Sequence, residues 1–220
     1  MTFDPKATLE QCDTLMLDMD GTGLDLAYDN YMWLTHVPGR YAEAHGMTLE
    51  EARDFLLASA HAISGDLKWY CLDHWSEYLG VDVFQLHRDE HHRIDYLPGA
   101  QAFLETVRSK PLRVLLVTNS HPDTLHLKDE VTGLSAYFDG VYTSHSYGFA
   151  KESQAFWQAL HSETGFDPET TMFVDDSHPV LASAATYGVQ HVVAITRPDT
   201  SEPQRDSANY LGVEGVSELA

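Results

Sequence analysis

The sequence is short of cations, of cysteine and of long apolar runs, and each shortage excludes something. Its 220 residues carry 13 Lys plus Arg against 34 Asp plus Glu, a formal net charge of −21. A field of that sign repels nucleic-acid backbones and anionic membranes, so neither a nucleic-acid polymer nor a membrane is an expected partner. It leaves room for a small anionic substrate where a metal ion and a local lysine override it. Cys12 and Cys71 are the two cysteines and lack metal-ligand spacing; free thiols in a cytoplasmic chain are the expectation. No stretch approaches the roughly 20 apolar residues that span a bilayer. The segment Met1 to Gln11 lacks the basic start and apolar core of a signal peptide. The 13 histidines form no HExxH or Cys/His pattern and are expected mostly at the surface.

What is present is an ordinary 43% of hydrophobic residues, enough for a sizeable core. The most informative stretch is Leu15-Met16-Leu17-Asp18-Met19-Asp20-Gly21-Thr22, an apolar strand ending in two acids two residues apart. Carboxylates at that spacing can divide a reaction, one attacking or binding metal and the other moving protons. Gly21 permits a sharp turn, and the Thr22 hydroxyl is expected to hold a neighbouring carboxylate. The plainer reading is a strand followed by an Asx-type turn.

Three downstream pieces weigh against the plainer reading. The strand Val114 to Val117 ends in Thr118-Asn119-Ser120. Lys151 precedes a helical pattern from Ser153 to Thr164. The strand Thr171 to Val174 closes on Asp175-Asp176. Alone, Thr118 could be a helix cap, Lys151 a solvated side chain and the acid pair an N-cap favoured by the helix dipole. Together they follow the rule that open parallel sheets bind ligands outside the carboxyl ends of their strands.

The rest of the pattern gives an α/β fold. After a polar lead-in over residues 1–13, the first strand covers Thr14 to Leu17. From Leu26 to Tyr96 the periods are helical, with Gly46 closing one helix and Thr48 with Glu51 opening the next as a capping box. Trp69, Leu72, Trp75, Tyr78 and Leu79 recur at helical spacing up to Gly80, for packing between helices or for a ring over a substrate base. From Ala100 helices and strands alternate: helix Ala100 to Ser109, helix Thr124 to Thr132, strand Gly140 to Thr143, helix His178 to Tyr187, strand His191 to Thr196. Such alternation means a doubly wound parallel sheet. Residues 197–220 show no clear period.

If Asp18, Asp20, Asp175 and Asp176 converge, their repulsion demands a cation, and an all-oxygen set favours Mg²⁺. Lys151 adds fixed positive charge and Thr118 adds hydrogen bonds, which together describe a phosphoryl site. Asp18 would attack phosphorus; Asp20 would protonate the leaving alcohol and then deprotonate water.

Asp18-x-Asp20-Gly21-Thr22, Thr118, Lys151 and Asp175-Asp176, in that order, resemble the four motifs of the haloacid dehalogenase-like (HAD) superfamily. The resemblance implies a Rossmann-like core over residues 1–23 and 98–220, with an inserted all-helical C1-type cap over 24–97. It implies a Mg²⁺-dependent phosphatase in which Asp18 is nucleophile and metal ligand. Asp20 is general acid/base and offers its backbone carbonyl to the metal. Thr118 and Lys151 hold the phosphoryl group, with Asn119 beside it, and Asp175 and Asp176 complete the metal shell. Asp25 to Tyr31, Trp69 to Asp73 and Thr118 to Pro122 further resemble the bacterial GMP/IMP nucleotidase branch. That implies a 5′-nucleotidase on purine monophosphates, with Asp29, Asn30, Trp69, Tyr70 and Asp73 as cap candidates and His121 near the phosphate. Gly23 departs from the family, where a bulky apolar residue is usual, and is expected to add flexibility at the exit to the cap.

Alternatives share parts of this pattern. A phosphatase on sugar phosphates or phosphoglycolate, or a phosphomutase, keeps every motif. A haloacid dehalogenase needs neither Mg²⁺ nor an acid for the leaving group, so Asp20 and the acid pair argue against it. A receiver-type phospho-accepting module places its acid pair before the phosphorylated Asp and has no large insert.

Overall fold

Six strands, all parallel, form one sheet in the order β3-β2-β1-β4-β5-β6 in the computed structural model, which describes residues 4–220. They are β1 (Thr14–Leu17), β2 (Arg113–Thr118), β3 (Gly140–Thr143), β4 (Thr171–Asp175), β5 (His191–Ile195) and β6 (Leu211–Val213). The order reverses direction at β1, whose Leu17 pairs with Leu116 of β2 on one side and Val174 of β4 on the other. Crossover connections to either side leave a crevice at the carboxyl end of β1, where such sheets bind ligands.

Alternation along each strand divides the apolar residues between two faces. Leu15, Leu17, Val114, Leu116, Met172, Val174, Val193 and Ile195 pack on one side, against α1 (Pro5–Leu9) and α7 (Ala100–Val107) among others. Met16, Leu115, Val117, Phe173, Val192 and Ala194 face the other side, under α10 (Gln154–Thr164) and α11 (His178–Tyr187). A strand buried on both faces reads as a continuous apolar run, the pattern seen in the sequence of β1, β2 and β4.

Between β1 and α7 the chain is helical: α2 (Ala27–Tyr31), α3 (Val37–His45), α4 (Leu49–Ala62), α5 (Leu72–Leu79) and α6 (Val83–Asp89). The Thr48–Glu51 capping box opens α4, and Gly46 closes α3 in the left-handed conformation. A π-helical stretch, Met32–His36, joins α2 to α3. Pro38 has no N–H for the carbonyl of Leu34, and Arg53 Nε takes that carbonyl instead, at 2.5 Å. The chain leaves and returns side by side: Asp25 N donates to Asp95 O at 2.9 Å, and Leu97 N to Gly23 O at 3.1 Å.

Several expectations need correcting. Of the expected lead-in, residues 1–3 lie outside the described residues, and Pro5–Leu9 form α1, capped by Asp4. The aromatic stripe is not one helix: Trp69 lies in a 3₁₀ turn, Leu67–Tyr70, and α5 begins after extended Cys71. The helix after β2, α8, starts two residues early, spanning Pro122–Thr132, and a short helix, α9 (Ser144–Tyr147), follows β3. Residues 197–220, read as aperiodic, contribute β6 and a 3₁₀ turn, Val216–Leu219. Among the described residues no helix is long and apolar enough to cross a membrane.

Candidate active site

Asp18 continues the β1 ladder by one bond, its N–H donating to Val174 O at 3.0 Å, and the chain then turns at Gly21. Gly21 has φ +81°, and a Cβ there would meet the Asp176 carboxyl carbon at 2.8 Å. Glycine is therefore what lets this loop lie against the acids that follow β4. Carboxylate oxygens of Asp18, Asp175 and Asp176 come within 4.8 Å of one another.

Lys151, buried in the turn before α10, is the cation at their centre. Its Nζ donates to Asp18 Oδ1 at 2.5 Å, Asp175 Oδ2 at 2.8 Å and Val117 O at 3.0 Å. Burial pushes the Asp18 carboxyl well above the ordinary carboxylate range, with Lys151 pulling it back. Burial, with Asp175 beside it, pushes Asp176 up to about 7, and Arg205 at 3.2 Å opposes that rise. Three crowded acids against so little positive charge, with oxygen donors alone, suit a hard divalent cation such as Mg²⁺.

Asp20 does not join this cluster through its carboxylate, contrary to the expected four-acid convergence. Its Oδ1 instead accepts from Lys128 Nζ at 2.7 Å, and Lys128 also donates to both oxygens of Asp29 at 2.8 Å. Lys128, on α8, is fully buried. Thr118 ends β2 buried beside the site, its Oγ1 accepting the Ser120 N–H at 3.0 Å rather than capping a helix. Asn119 Oδ1 accepts the Lys151 N–H at 2.9 Å, and its Nδ2 donates to Glu152 at 3.0 Å. Tyr70 O–H donates to the other Glu152 oxygen at 2.6 Å, joining the helical segment to the core. Thr22 does not hold a carboxylate: its hydroxyl is buried without a partner among the described residues. Gly23 is tied at both backbone groups, and its φ is not positive, so the expected looseness is absent.

A cavity of about 510 Å³ opens from these residues, within the usual range for small-molecule sites. Asp18, Asp20, Thr118, Asn119, Lys151, Asp175 and Asp176 line one end, and Trp33, Trp69, Trp75 and Leu56 are among the residues of the apolar remainder. Of the expected cap contacts, Asp29, Asn30, Trp69 and Tyr70 line it; Asp73 does not, and its side chain is 87% exposed. His121 lines it too, and is buried.

His87, expected at the surface with most histidines, is buried on the cavity wall. Tyr28 O–H donates to the His87 carbonyl at 2.9 Å and also lies 3.0 Å from His87 Nδ1. Its single proton is thus engaged, so Nδ1 carries the ring hydrogen and Nε2 is a bare acceptor. That Nε2 is buried and unpartnered among the described residues. Burial pushes the ring's pKa down to about 3, which keeps it neutral.

Lys128, Glu152 and His87 escape a reading of the sequence because each sits inside a helix or turn pattern. A signal exists for Lys128 alone: it is the sole cation in Pro122–Thr132 and follows Leu127 on the helix's apolar side.

The model of the haloacid dehalogenase-like hydrolases matches residues 12–188. GMP/IMP nucleotidase YrfG of Escherichia coli (strain K12) is 39% identical over 210 residues, covering 96% of this chain and 95% of that protein. The nucleotidase of the same name from Shigella flexneri matches at the same level. Among solved structures, a HAD phosphatase from Thermococcus onnurineus superposes with a TM-score of 0.77 at 22% identity, over 94% of this chain and 95% of that one. The HAD-hydrolase YfnB from Bacillus subtilis, bound to magnesium, does so with a TM-score of 0.67 at 16% identity, over 95% and 97%.

Proposed function

We propose a reaction and a substrate for this chain, which belongs to the haloacid dehalogenase-like hydrolase family. The reaction is Mg²⁺-dependent hydrolysis of a purine nucleoside 5′-monophosphate, GMP or IMP, through an aspartyl-phosphate. The observation that carries it is buried Asp18 beside Lys151, in a cavity that Trp33, Trp69, Tyr70 and Trp75 also line. The 39% identity to a GMP/IMP nucleotidase over nearly the whole chain supports the substrate.

Asp18 attacks phosphorus as the ester P–O bond breaks, and Asp20 gives its proton to the departing ribose oxygen. Water then attacks the phosphorus of the acyl phosphate and yields its proton to Asp20. The bond between the Asp18 oxygen and phosphorus breaks, releasing phosphate. Lys151 and Thr118 hold the phosphoryl oxygens in both steps. Asp18, Asp175 and Asp176 would hold Mg²⁺ with the Asp20 carbonyl. When bound, the ion neutralises the crowded carboxylates and the phosphoryl charge.

Residues 24–97 act as a cap over the core of residues 1–23 and 98–220, with the Tyr70–Glu152 bond closing one seam and Lys128–Asp29 another. The bare His87 Nε2 suits a donor on the base. Guanine and hypoxanthine carry hydrogen at N1, and adenine does not.

The test is phosphate release from nucleoside and sugar monophosphates, with Mg²⁺ and with EDTA, for the wild type and Asp18→Asn. Mg²⁺-dependent release led by GMP and IMP, and lost in Asp18→Asn, is expected. Release led by sugar phosphates overturns the substrate; release surviving Asp18→Asn overturns the mechanism.

A further inference from the structure

A second group of ligand-type side chains lies where the helical segment meets the core, and one of them, His121, also lines the cavity. Cys71 precedes α5, His121 caps the start of α8, and His145 sits in α9. One donor atom from each falls within 4.8 Å of the other two. Both ring nitrogens of His145 are buried without a partner among the described residues. The ring has given up water at both nitrogens and gained nothing in the protein, which leaves a lone pair for a ligand. Burial and the neighbouring His121 push its pKa down to about 4, so it is neutral at physiological pH.

The surroundings match a ligation shell. Asp73 Oδ2 is 3.8 Å from His121 Nε2, on a side chain free enough to move closer. On the other side of that ring, Asp123 Oδ2 is 3.7 Å from Nδ1. Metal-bound histidines ordinarily donate their second N–H to such a carboxylate. Here Nδ1 takes the Asp123 N–H at 3.3 Å, a long bond that ligation through Nε2 would exchange for the carboxylate.

We propose that Cys71, His121 and His145 bind a divalent transition-metal ion of the zinc type, with Asp73 as the fourth ligand. A thiolate and two imidazoles select such an ion over Mg²⁺, and four ligands of this kind suit tetrahedral coordination. Binding releases the Cys71 thiol proton to solvent. Cys71 and Asp73 belong to the helical segment, and His121 and His145 to the sheet core. The ion therefore staples one to the other. On the cap reading proposed above, it slows turnover by holding the cavity shut, while Mg²⁺ stays at its own site.

Cobalt(II) reports on the thiolate directly. The full chain, in excess Mg²⁺, is titrated with Co²⁺ and followed by the thiolate-to-cobalt charge-transfer absorbance, with thermal unfolding as a check on every variant. The expected result is one ion per chain in the wild type and in Cys12→Ser, displaced by Zn²⁺. The band is lost in Cys71→Ser, and affinity falls about tenfold or more in His145→Gln. No band in the wild type, or one that survives Cys71→Ser, overturns the site, as does unchanged affinity in a folded His145→Gln. Zn²⁺ is expected to slow phosphate release in the wild type and not in Cys71→Ser. A band without that inhibition overturns the staple and leaves the site standing. Because the band needs no turnover, its outcome is separate from that of the nucleotidase assay.

Discussion

Lys128 Nζ sits 2.7 Å from Asp20 Oδ1, so the proposed general acid is held by a buried cation that α8 supplies. The same nitrogen grips Asp29 of α2 at 2.8 Å. Burial and the nearby Asp20 push Asp29 up to about 7 against the pull of Lys128. The orientation of Asp20 is thus tied to the seating of the helical segment.

Lys128→Met should slow GMP hydrolysis by about 10²-fold, the low end for losing a positioned acid/base. With p-nitrophenyl phosphate, whose phenolate leaves without a proton, a rapid burst should survive, followed by slow turnover as water attack still needs Asp20. Removing one partner of a buried pair also costs about 3–5 kcal/mol. Lys128→Met with Asp29→Met should recover stability and remain slow. Recovery of GMP turnover along with stability in that double variant would give Lys128 a packing role alone.

What could be read from the sequence, and what could not, divides along a physical line. Asp18, Thr118 and Asp175 end apolar runs, and a polar ending on a strand buried on both faces is visible in one dimension. Lys151 was visible because it stands just before a helix start. Lys128 lies 108 residues from Asp20, so its place beside Leu127 on the helix hints at burial but not at its partner. The edge strand Leu211–Val213 is three residues long and contains a glycine, too short to show a period. Cys71, His121 and His145 have no ligand spacing along the chain, because two separate parts of the fold bring them together.

His87→Phe keeps an aromatic ring, somewhat larger, and removes the bare acceptor together with the Nδ1 contact to Tyr28. The kcat/KM for GMP and IMP should fall about tenfold, the scale of one buried hydrogen bond, while that for AMP holds. An unchanged ratio of GMP to AMP would show that His87 does not meet the base.

Two glycines two residues apart should respond oppositely. Gly21→Ala places a Cβ 2.8 Å from Asp176 and 2.9 Å from Pro198 at φ +81°, and should abolish activity and lower the melting temperature. Gly23→Ala meets nothing closer than 3.6 Å, and its φ is not positive. It should stabilise the chain by about 0.4–1 kcal/mol through the unfolded state, with activity kept. Chemical denaturation of both variants checks this.

Acid should act on stability through His87 in a direction that can be isolated. Its folded pKa is lowered from 6.5 to about 3, chiefly by burial and further by Lys128 and His36. The unfolded chain therefore binds a proton that the folded chain refuses, and this contribution is intact above pH 6.5 and lost as pH falls toward 3. Between pH 7.5 and 5.5 the loss is about 1.4 kcal/mol. Asp29 and Asp176, raised to about 7 by burial, act with the opposite sign over the window from 3.8 to 7, because their folded forms take up protons first. The wild-type profile mixes the two signs, so the comparison that matters is with His87→Phe. That variant should gain about 1.4 kcal/mol relative to the wild type on going from pH 7.5 to 5.5, measured by urea unfolding at both pH values. Parallel profiles would mean that the ring takes up its proton in the folded state, and that Nε2 is not the neutral acceptor its Tyr28 contacts imply.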